Sequence, residues 1–365
     1  MSHWKLVRLN FGQNTVHFGE LGIGIEETNE RVRSDTLFSA LITAYARLFG
    51  SDAVSNLLQQ FLEQPDKPPF RLSSTFLYQQ VGDKTVDYLP KPLRKPSNYP
   101  NDDSGIFKTY KKLSYLPVEV WNRWYQEDGF TSSGTNSDHD QLIQETTSKS
   151  NGNLRKSCLF SYGKGFEKVL VPKIGVDRIT RATNLYHTGF VQFNSETKKQ
   201  SGLYFIIQFP KINDTLENQL KVALNWLKEE GLGGERSSGS GQFKFKWFEF
   251  NQLSKIWQKI LTYPQQNHCS LISLLWEYPI SESLLEDSSY ELQKRGGWIY
   301  STSGHQLLRK SIQMFTEGSV FKSQPSGKLA DVTPDRFKQY RNWHPIYRSG
   351  ISLSLPIKLV NESTP

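Results

Sequence analysis

Apolar and polar residues alternate at the start of the chain. Val7, Leu9 and Phe11 flank Arg8 and Asn10, the period-two pattern of a strand with one buried face. After a loop with Gly19, Gly22 and Gly24 the period changes. Leu37, Leu41, Ala44, Tyr45 and Leu48 fall on one helical face. Ser34 or Asp35 stands where an N-cap accepts an unpaired N–H, and Gly50 where a left-handed residue ends a helix. A second helix is expected over about 52–63, before the prolines at 65 and 69. The second half restarts the pattern. Leu203–Phe209 is a short apolar strand. Asp214 is placed to cap a helix with Leu216, Leu220, Ala223, Leu224 and Leu227 on its apolar side, and Gly231 stops it. In the strand that follows, Phe243, Phe245 and Trp247 face one way and Lys244 and Lys246 the other. A helix near 252–263 and strands near 298–302, 319–322 and 351–357 complete the reading. Both halves run strand, helix, strands, so the expected class is α+β in two units, residues 1–200 and 201–365.

Between them, residues 65–155 look like an irregular insertion. Pro90, Pro92, Pro96 and Pro100 lie among Lys91, Arg94 and Lys95, as in an extended surface segment. Residues 129–152 are polar, almost free of aromatics, and expected to be mobile.

The segment GLGGERSSGSG, residues 231–241, holds five glycines and three serines around Arg236. Glycine lets backbone N–H groups approach an anion without side chains in the way. Here a helix runs into the loop and a strand leaves it, the reverse of the strand–loop–helix order of nucleotide-binding loops, and no G-K-[ST] or G-x-G-x-x-G motif is present. The negative end of a helix dipole faces the loop, so an anion needs side chains: Arg236, Ser237, Ser238, Lys244 and Lys246, beside Gly233, Gly234, Gly239 and Gly241. A flexible helix-to-strand connector, and a plain core face for Phe243, Phe245 and Trp247, are the alternatives.

Charge sharpens the picture. Forty-four Lys and Arg oppose thirty-six Asp and Glu, a net of +8. Residues 155–201 carry nine basic and three acidic residues, most of that surplus. Within them Arg178, Arg181 and Asn184 are donors for phosphates or base edges, and Tyr186 and His187 are rings on which bases stack. Cations interleaved with aromatics suit single-stranded RNA; a solvated basic surface is the competing reading. Arg31 and Arg33 form a smaller basic cluster.

Other chemistry finds little support. Cys158 and Cys269 are far apart and in no C-x-x-C pair, and the seven histidines lack metal-ligand spacing. No cofactor or small-molecule substrate is indicated. No apolar run approaches the ~20 residues of a membrane span, and the N-terminus lacks a signal-peptide core, so a cytoplasmic protein is expected. His187 could activate a ribose 2′-hydroxyl in metal-free RNA cleavage. Asp35 is explained more simply as a cap than as a nuclease carboxylate.

RSDTLFSAL (Arg33–Leu41), VDRITRATNLY (Val176–Tyr186), the glycine loop, FTEGSVF (Phe315–Phe321) and HPIYRSGISLSLPI (His344–Ile357) occur in one order along the chain. Together they resemble the pattern of the fourth Csm subunit of type III-A CRISPR effector complexes, in the Cas5-like group of the RAMP superfamily. The resemblance implies two ferredoxin-like (RRM-like) domains and a non-catalytic subunit that holds the 5′ repeat-derived handle of crRNA. It implies as partners the large Cas10-type subunit and the adjoining Csm backbone subunit, in antiviral defence. The family's glycine loop carries over as Gly233, Gly234, Arg236, Ser237, Ser238, Gly239 and Gly241, and its basic stretch as Arg178, Arg181, Asn184 and Tyr186. A thumb hairpin is implied, with residues 156–193 the candidate. A metal-free endoribonuclease that processes crRNA precursors is the alternative.

Overall fold

The alternation at the start of the chain forms β1 (His3–Asn10), inside an antiparallel sheet. The computed structural model describes residues 3–20, 24–100, 105–134, 137–144, 152–299 and 307–359. After β1 come α1 (Ser34–Glu63), β2 (Phe76–Val81), β3 (Lys84–Pro90), β4 (Tyr115–Pro117) and α2 (Val118–Gln126). A hairpin of β5 (Phe166–Val176) and β6 (Thr183–Phe193) follows, then β7 (Lys199–Phe209), α3 (Asp214–Glu230) and β8 (Lys244–Glu249). The sheet order is β8–β1–β7–β2–β3–β4. Thus β1, α1, β2, β7, α3 and β8 form a strand–helix–strand–strand–helix–strand unit whose strands lie in the order fourth, first, third, second. Residue 200 falls inside β7, and β8 pairs with β1 across the two halves of the chain.

Both faces of this sheet are covered. From β7, Leu203, Phe205 and Ile207 pack under α1 and α3, whereas Tyr204 and Ile206 meet Trp121, Trp257 and Leu355 on the other side. A strand buried on both faces reads as a continuous apolar run, which is why LYFIIQF does not alternate. Gly50 kinks α1 at φ 87°, so the two expected helices are continuous across a glycine break. The caps differ from expectation. Neither Ser34 nor Asp35 caps α1: Arg33 holds that position without a side-chain bond, and the Ser34 hydroxyl accepts the Leu274 N–H instead. For α3 the cap is Asn213, not Asp214, accepting the Leu216 N–H at 3.0 Å.

Residues 65–155 are not an irregular insertion. They supply β2, β3, β4 and α2, and Trp121, Trp124 and Tyr125 are core residues. The proline segment is not simply a surface segment either. Pro92 and Pro96 are buried, and the N–H groups of Lys91 and Leu93 donate to Ser114 and Gly318. This segment straps the sheet to the C-terminal body. In the polar stretch, Asp138–Gln144 is a short helix. Buried Asp138 fixes it by accepting two bonds from Arg123 (2.7 and 2.8 Å) and one from Trp124 Nε1 (2.9 Å). Residues 145–151 lie outside the described residues.

After α4 (Lys255–Leu261), the C-terminal body is built from short strands. These are β9 (His268–Leu271), β10 (Leu292–Arg295), β11 (Ile312–Phe315), β12 (Val320–Phe321), β13 (Leu329–Asp331), β14 (Tyr347–Ser349) and β15 (Ser354–Ile357). β9 lies between β12 and β15, and the other four form two hairpin-like pairs. The strands expected near 319–322 and 351–357 are β12 and β15. Near 298, Trp298 makes one bridge, to Leu308, and residues 300–302 lie outside the described residues.

Candidate nucleic-acid interface

The glycine loop is held firmly. Gly231 ends α3 at φ 86°, its N–H on Leu227. Gly233 has φ 100°, and a Cβ there would meet the His17 carbonyl at 2.5 Å. Only glycine lets the loop press so closely on residues 15–18. The N–H of Gly234 donates to His17, that of Gly241 to Thr15, and that of Leu232 to Gly241. Ser238, Gly239 and Ser240 donate within the turn itself. The flexible-connector alternative therefore fails, and the N–H groups of Gly231, Leu232, Gly234, Ser238, Gly239, Ser240 and Gly241 are already spent within the protein. The loop also presents side chains outward. Ser237 and Ser238 are exposed, Arg236 is half-buried, and Lys244 is exposed on β8.

The hairpin stands over this loop. Directly opposed residues of an antiparallel pair share a face: Lys173 pairs with Tyr186, and Gly175 with Asn184. Lys173 bonds the Glu235 carboxylate, and that ammonium holds the Glu235 carboxyl below its usual range. The face with Lys173, Asn184 and Tyr186 therefore turns toward the glycine loop. The outer face carries Leu170, Ile174, Val176 and Leu185, all exposed. At the tip, Asp177 Oδ1 accepts from the N–H groups of Ile179 (2.9 Å) and Thr180 (2.6 Å), which fixes the turn that exposes Arg178 and Arg181. Ile179 between them is 93% exposed. Arg181 takes a left-handed conformation, φ 58°. The hairpin spans Phe166–Phe193, inside the expected 156–193; Asn153–Lys156 is helical and Leu159–Lys164 a 3₁₀ turn.

Arg31 and Arg33 are not an open basic cluster. Arg31 is buried, donates to both Glu317 oxygens at 3.0 Å and to the Tyr115 hydroxyl at 2.6 Å. Arg33 pairs with Glu20 (2.6 Å) and with Glu317. Carboxylates from distant segments have claimed both side chains.

Those carboxylates belong to a buried network that joins the first helix to the C-terminal body. Asp35 is fully buried and accepts from Arg295 at 2.9 and 3.0 Å, and from Arg348. Burial alone would raise its carboxyl, but the two guanidiniums hold it well below the ordinary carboxylate range. Glu317 is likewise buried and likewise held low, against burial, by Arg31 and Arg33. Beside this network, against the glycine loop, lies a cavity of about 260 Å³ whose lining includes Arg33, Thr36, Trp226, Arg236, Arg295 and Arg309. Thus the fold brings Arg33 and Arg236 together, two expected site residues, and adds Arg295, Arg309 and Trp226, which sequence reasoning missed. Trp226 lies between Leu224 and Leu227 on α3, partly buried beside their apolar stripe. Arg295 ends the short strand β10, and no local signal relates it to Asp35.

A family model described as the CRISPR Csm4 C-terminal domain matches residues 264–357. Most of the chain is similar to curated proteins named CRISPR system Cms protein Csm4. The one from Methanocaldococcus jannaschii is 25% identical over 340 residues, covering 87% of this chain and 85% of that protein. The one from Streptococcus thermophilus is 24% identical over 343 residues, covering 91% and 93%. In fold the chain is similar to a solved chain from the Csm3–Csm4 subcomplex in the type III-A CRISPR–Cas interference complex. That match has a TM-score of 0.59 and 18% identity, and covers 97% of this chain and 99% of that one.

Proposed function

Because the chain belongs to the Csm4 family of type III-A CRISPR systems, we propose that it is the RNA-binding, non-catalytic subunit that holds the 5′ repeat-derived handle of crRNA. In this reading it caps a ribonucleoprotein and joins the large Cas10-type subunit to the adjoining backbone Csm subunit. The strand order of the first unit is that of a ferredoxin-like βαββαβ fold, which supports a RAMP architecture. One observation carries the proposal: the Lys173–Glu235 pair sets the hairpin against the glycine loop. Tyr186 and Asn184 then border the same surface as Arg236, Ser237 and Ser238, with Arg178 and Arg181 beyond. Tyr186 supplies a flat ring for a base and the arginines track phosphates.

The endoribonuclease alternative is less well supported. Tyr186 and His187 are consecutive in a strand and point to opposite faces, so His187 shares the outer face with Pro172. Among the described residues, no three His, Cys, Asp or Glu are grouped to hold a metal, and no helix is long and apolar enough to cross a membrane. Labelled repeat RNA incubated with the protein in EDTA tests the reading. Binding without turnover is expected; a discrete product lost in His187→Ala would overturn it.

A further inference from the structure

Six guanidiniums, those of Arg31, Arg33, Arg236, Arg295, Arg309 and Arg348, gather around or behind the cavity beside the glycine loop, against three carboxylates, Glu20, Asp35 and Glu317. Arg31 and Arg33 are matched by Glu317 and Glu20, and Arg295 and Arg348 by Asp35. Arg309 differs. Its Nε donates to the Trp298 carbonyl at 3.1 Å, and among the described residues no carboxylate pairs with its guanidinium. Burial pushes its pKa down to about 10; Arg348 and Arg295 add repulsion, which Asp35 nearby partly offsets. A guanidinium nonetheless stays charged at neutral pH, and a half-buried cation without a directly paired carboxylate is costly until an anion arrives.

The rest of the cavity has a shape and a polarity. Arg295 and Arg33 are pinned by carboxylates and so are pre-oriented. Trp226, with Arg47 stacked on its ring at 5.0 Å, and Ala40 give the far side an apolar wall. The volume lies below the ~300 Å³ at which ordinary ligand pockets begin. It suits one phosphate with its sugar, not a run of nucleotides.

We infer that this cavity is a phosphate site for a single nucleotide, with Arg309 the donor that the protein leaves for it. The phosphate is either a linkage or the 5′ end of the bound RNA, or belongs to a free nucleotide. Only the first two sources rest on the handle-binding reading.

The full chain is compared with Arg309→Gln and Arg309→Lys. Handle RNAs carry a neutral methylphosphonate at one linkage at a time, or a 5′-phosphate against a 5′-hydroxyl. Arg309→Gln is expected to weaken the unmodified RNA about tenfold, and Arg309→Lys by less. One modified RNA should weaken wild type by a similar factor and Arg309→Gln no further, which identifies the phosphate. Melting of free Arg309→Gln should be unchanged or raised, because an unmatched cation has gone. A separate arm uses adenosine monophosphate alone, which should raise the melting temperature of wild type but not of Arg309→Gln. If wild type binds no handle RNA yet shows that shift, the handle reading fails and the phosphate site stands. If wild type and Arg309→Gln bind RNA equally and neither shifts, the site is refuted. A lowered melting temperature in Arg309→Gln, with an equal loss for every RNA, refutes it too.

Discussion

Asp35 sits fully buried between Arg295 and Arg348, partners some 260 and 313 residues away in the chain. Removing one member of a buried ion group leaves the others uncompensated, which costs about 3–5 kcal/mol. Asp35→Ala is therefore expected to lose that much stability in urea denaturation, and a loss under about 1 kcal/mol would contradict the network's role. The sign of the pH dependence follows from the same contacts. The Asp35 and Glu317 carboxyls lie below their values in the unfolded chain, about 3.9 and 4.3. Their contribution is complete above those values and is lost as pH falls through the folded-state values. Unfolding free energy measured from pH 7 downward should drop steeply below about pH 4, and less steeply in Asp35→Ala. Nothing near Asp35 in the sequence announced this. A helix-start aspartate reads as a cap, because its true partners lie far along the chain.

At the scale of elements, the two glycines Gly233 and Gly239 share a left-handed backbone but differ in surroundings. A Cβ on Gly233 would run into the His17 carbonyl, whereas one on Gly239 meets nothing within 4 Å. Gly239→Ala should cost about 1 kcal/mol of backbone strain, and Gly233→Ala clearly more, since loop and residues 15–18 must separate. Thermal melting of the pair checks this; equal losses would show that the close approach is unimportant. The sequence revealed the amphipathic helices, the alternating β1 and the glycine loop, because local periodicity and turn chemistry determine them. It hid β2 and β3, whose short runs FLYQQV and KTVDYLP carry polar residues and, in β3, end in proline. It also overstated the loop's looseness, because the fixing bonds come from Thr15 and His17. The hairpin was legible as a basic, aromatic stretch, but its facing toward the loop depends on one pair, Lys173–Glu235. Replacing residues 169–188 with a short turn should leave the folded body intact and remove most RNA affinity, as seen by circular dichroism and gel shift. Unfolding of that variant would make the hairpin a structural element.

Across the molecule, most of the net positive charge lies in residues 155–201, in and around the hairpin, while the buried charges of the junction are largely matched. In the proposed reading this division separates binding from stability: exposed cations are the ones offered to RNA, whereas the buried ones tie the first helix to the C-terminal body. The measurement that bears most directly on the central claim is the salt dependence of handle-RNA binding by wild type and by the combined Arg178→Ala, Arg181→Ala, Arg236→Ala variant. With about five phosphate contacts on single-stranded RNA, wild type should show a log–log slope near −3.5, at roughly −0.7 per contact. The variant's slope should be shallower by about 2, with melting unchanged. Identical slopes for the two proteins, or a wild-type slope near zero, would contradict it.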